Sequence, residues 1–172
     1  MTAVLRAALP LLLAAGAAAP VTAADGPDLH AYWDDRCAGC HGDAGPFARA
    51  TLRVVDGRLA GPHHGTAVDD FLRTHHLTPA FHGPVIAMLA AQVQTRPVYA
   101  ARCARCHGPA ASLVRQALRW DGREWVGREG GQPLQRLLAR HGGVPEADVP
   151  VLAGTLRRVA TEVGLATGAI AP

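Results

Sequence analysis

At 172 residues the chain suits one domain or two very small ones, and its 49% hydrophobic content includes only 5% aromatic residues, so large core side chains are scarce. The formal net charge is +3 with no lysine anywhere, which excludes a lysine docking patch or lysine metal ligand and gives nucleic-acid binding no support. Residues 25–94 hold five Arg and eight Asp, whereas residues 95–172 hold eleven Arg and six acids, a sign change that points to a charged partner surface or to two differently solvated faces.

In chain order, the first feature is residues 1–24, where Arg6 is the only charge and residues 7–19 are rich in Ala and Leu. Small residues then precede Asp25. This is the pattern of a secretory signal peptide cleaved near Ala23 or Ala24, and it predicts an exported protein. The apolar run is too short to span a bilayer and Pro10 interrupts it; no later stretch is long enough either, so the mature chain is expected to lack a transmembrane segment.

A helix is predicted to run into Cys37, with Trp33 one turn earlier. Residues 51–59 read as an extended stretch around Asp56-Gly57, a hairpin signal between β-branched residues. A short helix over residues 68–75 follows. A last helix opens near Pro79 and continues through residues 85–93, with Pro84 either in its first turn or kinking it.

The same order then recurs. Sliding the chain by 66 residues lays Arg36-Cys37-Ala38 over Arg102-Cys103-Ala104 and Cys40-His41-Gly42 over Cys106-His107-Gly108. Gly61 falls on Gly127, Leu72 on Leu138, His75 on His141 and Pro84-Val85 on Pro150-Val151. Tyr99 replaces Trp33, Asp121-Gly122 marks a second hairpin within residues 117–126, and a helix over residues 134–141 ends at Gly142-Gly143. Pro145 opens the last helix of the second copy, which runs through residues 151–163. Internal repetition of this kind predicts a tandem array. The expected divisions are a signal peptide at residues 1–24, units at residues 25–94 and 95–165, and a loose tail at residues 166–172.

All four cysteines lie in two Cys-x-x-Cys-His runs. On a helix, positions i, i+3 and i+4 share a face, so Cys37 and Cys40 can bond the two vinyl groups along one porphyrin edge while His41 turns onto the iron. Cys103, Cys106 and His107 do the same in the second copy. Two covalent haem c groups are therefore expected, with His41 and His107 as proximal ligands. A zinc site would join its Cys pairs by a shorter linker; two disulfides would leave the histidines without a role; a thioredoxin-like pair would need a βαβ context. Haem also suits the size of the units. About 70 residues struggle to bury a sufficient core, and a covalent plate would pack against Phe47, Leu52, Phe71 and Leu72, or Leu113, Leu118, Leu137 and Leu138.

The sixth ligand separates carrier from catalyst. Methionine raises the potential of a haem, whereas an open iron permits chemistry. Met88 is the only methionine outside the signal, and Gly154 takes its place in the second copy. His141 is the one histidine beside His107 in that copy, and its register with His75 points to a shared distal role. His76, His82 and Met88 are the rivals of His75 in the first copy, while His63 and His64 read as a solvated pair. Bis-histidine, low-spin iron follows, which stores and passes one electron.

These residues resemble the bacterial periplasmic dihaem c-type cytochromes, on Cys37–His41, Cys103–His107 and the His75/His141 pair. Each unit is similar to a shortened class I cytochrome c domain. The resemblance implies a mainly α fold of two tandem small cytochrome c-like haem domains, each with a short β-hairpin, and electron transfer between redox protein partners in the periplasm. An acidic partner surface docking on the Arg-rich second unit fits the charge. The alternatives are a dihaem enzyme, such as a peroxidase or thiosulfate dehydrogenase, with one open or labile haem, and a haem subunit of a larger respiratory complex.

Overall fold

A computed structural model describes residues 26–165; the expected signal peptide with its cleavage near Ala23 or Ala24, and the tail at residues 166–172, lie outside the described residues. The first copy runs α1 (Leu29–Arg36), α2 (Ala38–His41), α3 (Ala44–Thr51), β1 (Arg53–Val55), β2 (Arg58–Ala60), α4 (Val68–Thr74) and α5 (Pro79–Gln94). The second runs α6 (Val98–Arg102), α7 (Ala104–His107), α8 (Ala110–Ala117), β3 (Leu118–Trp120), β4 (Trp125–Gly127), α9 (Leu134–Arg140), a 3-10 turn (Glu146–Asp148) and α10 (Val149–Glu162). The fold is mainly helical with two small two-stranded sheets.

Local chemistry accounts for the ends of these elements. Asp28 caps α1, its carboxylate accepting the Ala31 N–H at 2.8 Å. Asp56 and Gly57 both adopt positive φ, 49° and 75°, as a two-residue hairpin of matching twist requires. In the second copy the Asp121 carboxylate instead accepts the N–H groups of Arg123 and Glu124, each at 2.9 Å, and closes a wider turn. The strand register is nevertheless shared. Val54 pairs with Leu59 as Trp120 pairs with Trp125, and Arg53 with Ala60 as Arg119 with Val126.

Two helices lie in segments for which the sequence predicted no element, just before the hairpins. α3 and α8 follow the Cys-x-x-Cys-His runs directly and pack on α5 and α10, burying Ala44 and Ala48 or Ala111 and Val114. The equivalent prolines also part company. Pro84 sits inside one continuous α5, where it lacks the N–H that would bond back to Ala80, whereas Pro150 occupies the first turn of α10 after the 3-10 turn. Burial of Val85, Met88 and Leu89 in α5 offsets the lost hydrogen bond.

Buried side chains gather in two clusters. One holds Leu29, Trp33, Leu59, Val85, Met88 and Leu89, and the other Tyr99, Val114, Trp125, Leu152, Leu156 and Val159. Every extensive element packing joins elements of one copy. Between the copies, the Arg115 guanidinium grips both oxygens of Asp28 at 2.7–3.0 Å, and His30 Nε2 lies 2.9 Å from the Glu162 carboxylate. A cleft of about 590 Å³ separates them. Equivalent residues line its two sides: Trp33 and Tyr99, Ala44 and Ala110, Arg49 and Arg115. Each copy thus turns the same face to the other, as in an isologous pair.

Candidate functional site

The two motifs are built alike. Cys37 and Cys103 donate their backbone N–H groups to Trp33 and Tyr99, both at 2.8 Å, which carries the preceding helix into the motif. His41 and His107 then donate back to Cys37 and Cys103 at 3.0 and 2.9 Å, and Gly42 and Gly108, at φ 66° and 67°, end the turn where a β-carbon would be strained. Two side chains secure that exit. Trp33 Nε1 donates to the Gly42 carbonyl at 2.8 Å, and the Tyr99 hydroxyl donates to the Gly108 carbonyl at 3.0 Å. Sequence reasoning noted the position of this aromatic pair but missed its hydrogen bond. The available signal was that two different residues, both with a polar hydrogen at one end, occupy one register position.

Cys37 and Cys103 are half-buried against the two cores, while Cys40, Cys106, His41 and His107 are exposed. All four thiols are free. Burial pushes the Cys37 and Cys103 thiols above their ordinary pKa, so both carry their proton at neutral pH.

His75 and His141 directly follow α4 and α9, and each faces the histidine of its own motif. The ring centres of His41 and His75 are 6.1 Å apart, and those of His107 and His141 are 5.7 Å apart. Metal–imidazole bonds of about 2 Å on opposite sides of one ion put the ring centres roughly 6 Å apart. Both separations therefore have room for one metal between the rings. Among the described residues no group of three or more His, Cys, Asp or Glu side chains gathers around an ion. Two facing imidazoles leave the four equatorial positions to a macrocycle, so the donor set suits haem better than a tetrahedral zinc centre.

The rivals of His75 are engaged elsewhere. His82 is buried with Nε2 2.9 Å from the Asp69 carbonyl oxygen, and Met88 lies inside the first core at 1% exposure. His76 has left-handed backbone (φ 56°) and its carbonyl accepts the Tyr32 hydroxyl at 3.3 Å, although its ring centre is only 5.0 Å from that of His75. His64 stacks on Phe71 at 4.0 Å, and Phe71 on His75 at 4.5 Å. Burial, followed by the neighbouring His76, His41 and His64, holds His75 below the ordinary histidine pKa and keeps its ring neutral.

The expected apolar surroundings are half-exposed beside the motifs. Phe47 lies 4.5 Å from the His41 ring, with Leu52 and Leu72 on the same core; Leu113 and Leu138 flank the second core. Leu118 differs, being buried at 4% exposure. No helix among the described residues is long and apolar enough to cross a membrane. Comparison with protein families, with curated proteins and with solved structures finds no match for this chain.

Proposed function

We propose that this chain is a periplasmic dihaem c-type cytochrome that passes single electrons between redox protein partners. The observation that carries the reading is the facing of His41 by His75 and of His107 by His141, each beside a Cys-x-x-Cys-His run in one repeated register. Haem, when bound, supplies one-electron exchange at iron.

The chain's residues supply the rest. Cys37, Cys40, Cys103 and Cys106 would hold the two haems through thioether bonds. His41 with His75, and His107 with His141, would hold the two irons through their imidazole nitrogens, and burial keeps the His75 ring below the ordinary histidine pKa. Iron held by two imidazoles without methionine would exchange electrons at a lower potential than a His/Met pair. Trp33 and Tyr99 fix the backbone beside the proximal rings through Gly42 and Gly108.

Mass spectrometry of the holoprotein, with visible and EPR spectra in a redox titration, tests this. The expected result is two covalent haems, both low-spin. A protein without covalent haem defeats the reading, and a high-spin ferric signal defeats the bis-histidine part. His76 beside His75 is the one observation favouring a dihaem enzyme with a labile first haem. Carbon monoxide binding to the reduced wild-type protein would identify that alternative.

A further inference from the structure

Resting on the dihaem reading, we infer that the ligand face of the second copy is the docking port for an acidic redox protein, and that the equivalent face of the first copy is not. The charge asymmetry between the halves is not spread evenly over the second copy. Arg96 and Arg102 share Asp148, Arg115 holds Asp28, and Arg158 holds Glu162. On and beside the hairpin, Arg119, Arg123 and Arg128 alternate with Asp121, Glu124 and Glu129, so that region is close to neutral.

Apart from the half-buried Arg157 on α10, the surplus is left on the elements that carry the two histidines. Arg105 lies in α7 between Cys103 and Cys106, and Arg140 ends α9 directly before His141. Arg136 lies one turn earlier on α9, on the same helix face as Arg140. All three are exposed, and none has an ion-pair partner among the described residues. The 5.7 Å between the rings of His107 and His141 brings α7 and α9 together, with Arg136 and Arg140 on one face of α9 leading into His141 and Arg105 two residues before His107 on α7. Glu146 is the acid nearest to His141 along the chain.

The repeat supplies an internal control. Gly39, Asp70 and Thr74 stand where the second copy has Arg105, Arg136 and Arg140. The one arginine of α4, Arg73, is engaged by Asp69 at 3.0 Å and Asp70 at 3.8 Å, leaving that helix net negative. The same backbone therefore carries a cationic rim at one ligand pair and an acidic one at the other. A cluster of unpaired cations recruits an acidic protein surface, by steering its approach and fixing its orientation.

The test uses the full-length holoprotein, with reduced flavodoxin as the acidic one-electron donor and stopped-flow reduction of the haems as the readout. The second-order rate should fall as ionic strength rises. The triple variant Arg105→Gln/Arg136→Gln/Arg140→Gln should lose about tenfold at low salt, with an unchanged low-spin spectrum to show that the fold and ligands persist. Arg53→Gln/Arg58→Gln, on the exposed first hairpin, should retain the wild-type rate. A rate that ignores salt, or an equal loss in both variants, overturns the port while leaving the carrier reading intact. Loss of binding to phosphatidylglycerol vesicles in the triple variant, with no change in the flavodoxin rate, also overturns it and assigns the patch to a lipid surface. A protein without covalent haem removes both readings.

Discussion

At the scale of single residues, the two Cys-x-x-Cys-His runs and the histidines that face them were the most legible part of the chain. Cys-x-x-Cys-His is a local pattern, and the 66-residue offset paired His75 with His141 without any knowledge of the fold. That pairing yields an asymmetric expectation. His141→Ala leaves His107 as the one histidine of the second copy, so on the dihaem reading one of the two haems should become high-spin by EPR. His75→Ala should instead give a high-spin and low-spin mixture, because the His76 ring centre is 5.0 Å away; His75→Ala/His76→Ala should remove the low-spin remainder. A fully low-spin His141→Ala protein would sink the assignment.

The role of Tyr99 was not legible, since its bond to Gly108 spans a turn whose shape is set by the φ of that glycine. Burial, then the nearby Cys103, pushes the Tyr99 hydroxyl up to about 12. The folded protein thus holds this proton more tightly than the unfolded chain, where tyrosine titrates near 10. The contribution is complete below about pH 10 and fades as the pH rises towards 12, a change of roughly 2–3 kcal/mol. Denaturant titrations from about pH 9 to 12 should show this slope in the wild type and lack it in Tyr99→Phe, which should also cost about 1 kcal/mol at neutral pH. Equal slopes in the two proteins would remove the linkage from Tyr99.

At the scale of elements, periodicity located α4, α5, α9 and α10, and the Asp-Gly dipeptides located both hairpins. It did not locate α3 and α8. Ala44-Gly45-Pro46 opens α3 with a helix breaker and a proline, and its buried face is only Ala44 and Ala48. Such a helix exists because α5 covers it, which is tertiary information. The equivalent glycines Gly61 and Gly127 lie where each hairpin meets α4 or α9. A β-carbon at Gly127 would lie 2.8 Å from Leu137 Cδ1 and 3.3 Å from the Glu129 carbonyl oxygen, whereas one at Gly61 would meet only Val68 Cγ2, at 3.2 Å, and Leu52 Cδ2, at 3.5 Å. Gly127→Ala should therefore destabilise by ~1–3 kcal/mol and Gly61→Ala by less, measured by denaturant midpoint at unchanged slope. The reverse order would show that Leu137 moves aside at little cost and that the hairpin–α4 contact is the stiffer one.

At the scale of the molecule, the two buried clusters bear on how far each copy would depend on the proposed haem. The first contains nine buried apolar residues, two of them alanine, and the second thirteen, three of them alanine. Clusters of this size leave a small domain marginal without a staple. The copies do little to support each other. The Arg115–Asp28 pair has side chains 36% and 29% exposed, and such a pair contributes only about 0–1 kcal/mol. An unfolded copy should therefore not be rescued by its neighbour, nor should it drag that neighbour down. Cys37→Ser/Cys40→Ser would remove the proposed covalent anchor of the smaller core. It is expected to abolish the far-UV helical signal of the first copy, while the second haem keeps its low-spin spectrum and its own melt. Cys103→Ser/Cys106→Ser should leave more residual helix, because the larger cluster keeps Trp125, Leu152 and Leu156 packed. Circular dichroism and haem absorbance on the same samples separate these cases. Full helicity in Cys37→Ser/Cys40→Ser would mean that the first core stands without haem, and joint loss of both haem spectra would mean that the face shared across the cleft holds the two copies as one cooperative unit.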